Sequence, residues 1–541
     1  MRFAWRLPHP GVRAGQRTTT TMTTRAPVRD RHARGPQAGW RCWLLACALA
    51  GSAAAAAQDT AGLAGYWSGH TGSGRERIAV GLDLQPDGEG GLSVRLDLPI
   101  AHMQSMAMGS ARVEDGVLRL PGLHLALERK AGRLTGTLLD PAGRADLRHA
   151  GPRPSAMPST LTNDVPVLPG PRWSVRLSGQ VFASPVVDGG IAYVGTTGGT
   201  FEAVDVRDGH RLWSAALGFP VFASAAVEGD AVYVASDGFL HRLDRADGHE
   251  VWRYPLAPAP AARVLPHPDS AHWDWQAPQP LRVGDALYVG SADGSLHAVD
   301  AGSGRRLWRF AAPGRIRHGA AADARHIYVV SEPGSVHALD PRTGEERWRH
   351  ALSGQPGAAP VVHQGRVYVS DRGALLHALD ARDGHRLWLL PFWTSWVESA
   401  PMIVDDTLYI GSSDLKRISA IDAGSGKVHW RSEVAGWSWG TPLPAGRHLF
   451  VATAAGAPYF QPLQAELAML DRADGQVLAR LALPAGEGFV WGVAGGLARD
   501  GDTLVAATVG GTLMGFTLPT DATTQTDAGV PPSHARDPSL R

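Results

Sequence analysis

Residues 436–440 read Gly-Trp-Ser-Trp-Gly, the G-x-S-x-G pattern in which a serine hydrolase presents its nucleophile. Such a serine needs a strand-to-helix turn and also needs Asp and His partners later in the chain. The histidines after Ser438 are His448, on a predicted strand, and His534, close to the last residue. We therefore predict that Ser438 is not a nucleophile and that Ser438→Ala is nearly silent.

A second group with possible chemistry lies in the segment HMQSMAM, which contains His102, Met103, Met106 and Met108. Imidazole and thioether ligands together suit Cu(I). Methionine is also a common filler of irregular gaps in a core. The segment is a weak copper candidate, and no other metal site is predicted.

The elements that must position these residues repeat along the chain. An Asp-x-x-x-Gly turn followed by tryptophan recurs, as in DVRDGHRLW and DARDGHRLW, mostly 39 to 42 residues apart. A period near 40 with four strands per unit is typical of a β-propeller. The recurring tryptophans are predicted to pack between neighbouring blades; they are Trp173, Trp213, Trp252, Trp308, Trp348, Trp388 and Trp430.

A strand such as IAYVGT or ALYVGS starts eight times, which predicts eight blades within residues 171–518. The last unit stops without its outer strand. We expect the segment PRWSVRL, which contains Trp173, to supply it, because strands from both termini then close the ring and leave no exposed edge. His241, His297, His337 and His377 recur once per blade, and we interpret them as structural.

The repeated A-x-D-x-x-x-G-x-x-x-W resembles the tryptophan-docking motif of the PQQ-like β-propeller repeat family. The resemblance implies the fold and is less informative about function. One branch, the quinoprotein dehydrogenases, binds pyrroloquinoline quinone beside calcium, but their ligands and catalytic Asp cannot be assigned to positions here. The other branch is similar to an eight-bladed periplasmic subunit of the outer-membrane β-barrel assembly machinery, which has no cofactor, and the short propeller fits it better.

Ligand sites of propellers form where the loops that enter the innermost strands meet. The corresponding candidates for a ligand or partner rim are Phe182, Phe222, Trp275, Arg317, His318, Trp396, Glu398, Trp437, Trp439 and Trp491. The longest departures from the repeat, residues 257–275 and 454–464, should lie on the same face. This aromatic mouth either binds a ligand or peptide or plugs the channel, and the sequence leaves both open.

The chain begins with a basic stretch and an apolar, Ala-rich run, so residues 1–57 are predicted to be a signal peptide. Cys47 lies in a segment resembling a lipobox, but a soluble periplasmic protein is favoured over a lipoprotein. Residues 58–150 are predicted to form a small antiparallel β domain, 151–170 a Pro-rich linker and 519–541 a disordered tail.

Composition excludes several classes of function. Both cysteines lie in the predicted signal, so the mature chain has no thiol chemistry and no disulfide. It keeps 43 basic and 50 acidic residues, a negative balance that argues against nucleic acid, and it has no predicted transmembrane segment. We favour a non-enzymatic envelope scaffold that binds a protein or peptide; the alternatives are a quinoprotein oxidoreductase and a carbohydrate-binding propeller.

Overall fold

The computed structural model describes residues 60, 62–73, 76–155, 159, 161, 164–256, 263–267, 273–459 and 461–519. The predicted signal peptide with Cys47 and almost all of the predicted tail lie outside these residues. The chain divides into two compact units, Met1–Met157 and Pro158–Arg541. Among the residues that the structure describes, no helix has the length and apolar character needed to cross a bilayer.

The first unit is a closed antiparallel barrel in which consecutive strands pair and β1 also pairs with β8. Its strands are β1 (Gly65–Ser73), β2 (Glu76–Pro86), β3 (Leu92–Leu98), β4 (Met103–Glu114), β5 (Val117–Leu120), β6 (Leu125–Lys130), β7 (Arg133–Thr137) and β8 (Ala145–His149). Alternation produces its core: Leu92, Val94 and Leu96 of β3 are buried, whereas Ser93 and Arg95 retain exposed surface. The predicted small antiparallel β fold is confirmed; the closure was not predicted, because alternation does not reveal which strands meet at the ends.

The second unit is the predicted eight-bladed propeller, and each blade is a four-stranded antiparallel sheet. The first four blades contain β10 (Val186–Asp188), β11 (Ile191–Gly195), β12 (Thr200–Asp205) and β13 (Arg211–Ala216); β14 (Ala226–Glu228), β15 (Ala231–Ala235), β16 (Phe239–Asp244) and β17 (Glu250–Pro255); β18 (Leu281–Val283), β19 (Ala286–Gly290), β20 (Ser295–Asp300) and β21 (Arg306–Ala311); and β22 (Ala321–Ala322), β23 (Ile327–Ser331), β24 (Ser335–Leu339) and β25 (Glu346–Ala351).

The last four blades complete the ring. They contain β26 (Val361–His363), β27 (Arg366–Asp371), β28 (Leu375–Asp380) and β29 (Arg386–Pro391); β30 (Met402–Val404), β31 (Thr407–Gly411), β32 (Arg417–Asp422) and β33 (Val428–Glu433); β34 (Leu443–Ala445), β35 (His448–Ala452), β37 (Glu466–Asp471) and β38 (Val477–Ala482); and β40 (Ala498–Asp500), β41 (Thr503–Ala507), β42 (Thr512–Thr517) and β9 (Trp173–Arg176). An additional pair joins β36 (Ala454–Gly456) to β39 (Val490–Gly492).

The outer strand of the eighth blade is β9, as expected from PRWSVRL. It pairs with β42, and Val175 lies opposite Leu513. The first described strand of the propeller thus joins the last one, so the eighth sheet holds the two ends of the unit together.

Each of the seven recurring tryptophans ties its blade to the next. The Trp213 indole N–H, for example, donates to the carbonyl oxygen of Arg245 at 3.0 Å, and its ring lies against Gly248 in the turn of the following blade. The other six make the same bond at 2.7 to 3.3 Å, from Trp173, Trp252, Trp308, Trp348, Trp388 and Trp430. The motif is therefore a contact between blades that is repeated around the ring.

Candidate functional site: an aromatic cap where the entry loops meet

Six of the ten predicted rim residues pack into one cluster, which we call the aromatic cap. The loops that precede the innermost strands carry them to the same place, although the third and seventh blades are on opposite sides of the ring. The six are Phe182, Phe222, Trp275, Trp396, Trp437 and Trp439, and Trp273 joins them. Contact between opposite blades locates the cap on the propeller axis.

Two stacked tryptophans form the centre of the cap. The rings of Trp437 and Trp439 lie 4.8 Å apart with planes 9° from parallel, and the Trp273 ring meets both edge-on at 5.9 and 5.8 Å. Trp437 has no exposed surface and Trp439 is 2% exposed. Offset and edge-to-face contacts of this kind add to the gain from burial, so the centre is a packed plug.

The accessible part of the cap surrounds this plug. Trp396, Tyr459, Leu463, Phe489 and Leu265 pack against the buried rings and retain part of their surface. A partner that approaches this face would touch these side chains before it reached Trp437. The accessible rim and the buried plug are therefore different residues of one cluster.

Two predicted rim residues are charged and lie beside the cap. Glu398 is buried and paired with Arg372 at 2.7 Å, and that guanidinium also covers the Trp396 ring at 4.7 Å. Arg317 is buried and donates to Asp274, which stands between two cap tryptophans in the sequence. Burial lowers the pKa of Arg317 below its usual value, and the positive charge of the neighbouring Arg263 lowers it further.

The remaining two predicted residues are farther from the centre. His318 is buried, and its Nε2 lies 3.2 Å from the carbonyl oxygen of Pro356. Trp491, on β39, packs against the core of the seventh and eighth blades. The structure does not bring either of them into the aromatic cap.

Asp414 links the plug to the rim. Its Oδ1 accepts hydrogen bonds from the Tyr459 hydroxyl at 2.7 Å and from the Trp437 indole N–H at 3.2 Å. Burial raises the pKa of this carboxyl group to about 6, and the hydrogen bonds oppose the shift only in part. Burial and the Asp414 carboxylate also raise the pKa of Tyr459 well above its usual value.

Ser438 has none of the partners of a nucleophile. It is fully buried, and its hydroxyl has no hydrogen-bond partner in the part of the chain that the structure describes. A Ser-His-Glu arrangement does occur in the second blade, where His241 Nε2 lies 2.9 Å from Ser236 Oγ and His241 Nδ1 lies 2.7 Å from Glu250.

The same arrangement recurs in the fourth blade. His337 Nε2 lies 2.7 Å from Ser331 Oγ, and its Nδ1 lies 2.7 Å from Glu346. Ser331 and His337 have no exposed surface there. The serine and the histidine are buried in both blades, and this recurrence indicates that the hydrogen bonds tie neighbouring strands together within a blade.

Sequence reasoning missed several members of the site, namely Arg263, Trp273, Asp274, Arg372, Asp414, Tyr459 and Phe489. The long departures from the repeat were the available signal for Arg263, Trp273, Asp274 and Tyr459, since all four fall inside 257–275 or 454–464. Arg372 and Asp414 follow second strands of ordinary blades. Nothing in the repeat pattern distinguishes them.

The copper candidates lie in the barrel. His102 precedes β4, where Met103 is paired with Leu98 and Met106 with Leu96, while Met108 sits at a bulge. The two leucines are buried in the barrel core, so Met103 and Met106 occupy positions that suit packing. Copper binding stays a prediction.

Comparison with known proteins agrees with this architecture. The family model described as outer membrane protein assembly factor BamB matches residues 170–266, 292–416 and 391–466, together half of the chain. No curated protein sequence matches.

Solved structures with the same fold include three with different origins. BamB from Moraxella catarrhalis is 18% identical, with 65% of this chain and all of that chain covered and a TM-score of 0.51. The computationally designed protein Ika8 is 15% identical, with coverage of 65% and 100% and a TM-score of 0.53. Quinohemoprotein alcohol dehydrogenase from Comamonas testosteroni is 17% identical, with coverage of 65% and 77% and a TM-score of 0.50. At these identities the likeness concerns the fold alone.

Proposed function

The chain belongs to the PQQ-like repeat family whose model is that of outer membrane protein assembly factor BamB, and on that premise we propose that it is a non-enzymatic binding protein of the bacterial cell envelope. Its partner is a protein or peptide that docks on the rim of the aromatic cap. The observation that supports this proposal is that partly exposed aromatic and aliphatic side chains surround a buried tryptophan plug.

The plug makes this surface suitable for binding. Rings held in a packed cluster lose little conformational freedom when a partner arrives, so less of the contact energy is spent on ordering them. Aromatic anchors are also enriched among the residues that dominate protein interfaces. In this proposal the protein is periplasmic, as the predicted signal peptide suggests. The negative net charge of the mature chain argues against nucleic acid or anionic lipid as its partner.

Affinity capture tests the proposal. The full mature chain is cross-linked in envelope extracts, and captured proteins are compared between wild type and Trp396→Ala. Trp396 retains exposed surface, whereas changing Trp437 or Trp439 would disturb the fold before it reported on binding.

The matched control is Leu387→Ala, because Leu387 is 41% exposed on β29, the outer strand of the fifth blade. We expect a specific partner that is lost with Trp396→Ala and retained with Leu387→Ala. Capture that Trp396→Ala does not alter would refute the cap as the binding surface.

The residues of the cap do not fit a quinone beside calcium. A flat cofactor on the axis would need the space that the stacked Trp437 and Trp439 rings occupy. The nearby carboxylates are already engaged, Glu398 by Arg372 and Asp414 by Tyr459. Among the described residues, groups of carboxylates and imidazoles close enough to share an ion lie in three turns, in each of which two of the three residues are exposed. We therefore do not assign an oxidoreductase mechanism.

A carbohydrate ligand is the remaining alternative. Trp437 and Trp439 are buried, and each covers one face of the other, so a sugar ring would have to stack on Trp396, Phe489 or Trp491. Binding on a glycan array that is lost with Trp396→Ala would favour a sugar over a protein partner.

A further inference from the structure

The seam between the seventh and eighth blades has no docking tryptophan. Seven tryptophans serve eight seams, and at this one the docking position is Ala479, which lies opposite Met469 as Trp430 lies opposite Ala420 in the blade before. No glycine turn is available to receive a ring either, because the third and fourth strands of the eighth blade, β42 and β9, come from opposite ends of the propeller. This seam therefore lacks both halves of the contact that ties the other blades together.

The segment just before β9 crosses this seam. It runs parallel to β38, the outer strand of the seventh blade. The Leu168 N–H donates to the carbonyl oxygen of Arg480 at 2.9 Å, and the Arg480 N–H donates to the carbonyl oxygen of Pro166 at 3.0 Å. Four residues after Leu168, the Arg172 N–H donates to the carbonyl oxygen of Gly515 on β42 at 2.7 Å. The chain thus passes from the edge of the seventh blade to the edge of the eighth.

Leu168 supplies the apolar contact that a tryptophan makes at the other seams. It is 8% exposed and belongs to the core cluster that contains Ala479 and Leu483 of the seventh blade and Phe516 of the eighth. The preceding side chain, Val167, is 77% exposed. Burial of a leucine side chain is a substantial gain, so Leu168 anchors the segment in the seam.

Few contacts hold this segment in place. In the described part of the linker, Val167 and Arg480 form the one bridged pair, and Pro166 has no N–H with which to extend the pairing. Earlier in the chain, the Ser159 hydroxyl donates to Glu433 on β33 at 2.9 Å. By comparison, β9 pairs with β42 over four residues. A segment with few contacts opens at a lower free energy than the strands of a blade core.

We propose that residues 164–170, which we call the latch, hold the seventh blade to the eighth and are released while both blades stay folded. On release β9 remains in place, because its four pairs with β42 do not involve the latch. Release uncovers the apolar seam and leaves the backbone N–H and C=O of Arg480 without their partners in the latch. The freed residues join the chain between the two units, so that connection lengthens by up to about 3.5 Å for each of them. This conformational device does not depend on the proposed function.

Hydrogen exchange of the native, full mature chain tests the release without any substitution. The Leu168 and Arg480 amides report on the latch, because they donate its two backbone hydrogen bonds, and the amides of β41 report on the core of the eighth blade. After correction for intrinsic rates, we expect the two latch amides to exchange at least about tenfold faster than those of β41. Equal rates would mean that the segment leaves only on global unfolding, which would overturn its release.

Two neighbouring substitutions test the anchor. Leu168→Ala removes the side chain buried in the seam, whereas Val167→Ala, the matched control, truncates one that is mostly exposed. Leu168→Ala should speed exchange of the Arg480 amide at least about tenfold, because a buried leucine is lost. Val167→Ala should change that rate less than about threefold. Equal effects of the two would contradict the role of Leu168 as the anchor.

A compensating substitution tests whether Leu168 replaces the docking side chain. Ala479→Leu restores a large apolar side chain at the docking position. It should lower the melting temperature of the wild type by crowding Leu168, and it should raise the melting temperature of Leu168→Ala by filling the space left there. A fall in both backgrounds would show that the two positions do not share one space, and would overturn the replacement. If Leu168→Ala does not fold, the exchange rates of the wild type still decide whether the latch is released.

Discussion

At the scale of single residues, Trp437 and Ser438 are adjacent and both fully buried, yet they should respond very differently to truncation. Trp437→Ala removes a ring that contacts Trp439, Trp273 and Tyr459, which should lower the free energy of unfolding by about 3–5 kcal/mol. Ser438→Ala removes a hydroxyl that has no hydrogen-bond partner among the described residues, so the change should stay within about 1 kcal/mol. Urea unfolding of the two variants measures both. A large loss with Ser438→Ala would reveal a partner for that hydroxyl.

Asp414 predicts a pH dependence at the same scale. Burial raises the pKa of Asp414 from its usual 3.8 to about 6 in the folded protein, so between about pH 4 and 6 the folded state binds more protons than the unfolded state. The contribution of Asp414 to stability therefore falls as the pH rises through this window. The full penalty, about 3 kcal/mol, is present above pH 6.

Asp414→Asn removes this titration and keeps an oxygen that can accept from Tyr459 and Trp437. The variant should be more stable than wild type at pH 7, and the two should converge near pH 4. Urea unfolding at several pH values measures the difference in free energy of unfolding between the variant and wild type. The contributions of the other titrating groups cancel in this difference. A difference that does not vary with pH would mean that the folded pKa of Asp414 is close to its usual value.

At the scale of the elements, the turn between the third and fourth strands of a blade needs glycine for two reasons: its positive φ, and its close contact with a tryptophan ring. Gly248 has φ of +77°, and a Cβ there would lie 2.4 Å from an atom of the Trp213 ring. Gly229, in another turn of the same blade, has φ of +62° and open space around it. Gly229→Ala should therefore cost about 1–2 kcal/mol, from the left-handed backbone alone.

Gly248→Ala should cost about 1–3 kcal/mol more, because the methyl group also displaces the ring that docks the first blade on the second. Thermal unfolding of the two variants separates the two effects. Equal losses would show that the ring can shift without cost and that the motif needs glycine only for its backbone angle.

At the scale of the whole molecule, the eighth blade closes the propeller. A variant that begins at residue 171 keeps β9, whereas one that begins at residue 178 leaves the edge of β42 without its partner strand. We expect the variant that begins at residue 171 to unfold cooperatively. The variant that begins at residue 178 should lose that transition and aggregate, because an open strand edge pairs with other chains. The outcome is read from circular dichroism during heating and from size-exclusion chromatography. Identical behaviour would mean that seven complete blades close without β9.

Much of the fold was predictable because repetition multiplies a weak signal. One Asp-x-x-x-Gly followed by Trp says little, but six copies predict the strand register and the role of Trp213 and its equivalents, and eight starts of strands such as IAYVGT predict the blade count. The same register assigns Phe182, Trp275 and Trp437 to equivalent entry positions, and in the structure these three side chains pack in the aromatic cap.

What each of those neighbours does was decided by packing across the axis. Sequence register places Trp396 and Trp437 at equivalent positions, yet Trp437 is buried under rings from the opposite blade and Trp396 keeps an accessible edge.

The sequence by itself thus determined the repeating unit and the number of blades, because those depend on local periodicity. Which residues became plug or rim was decided only by the tertiary structure, because those roles arise from contacts between blades that are far apart in the chain.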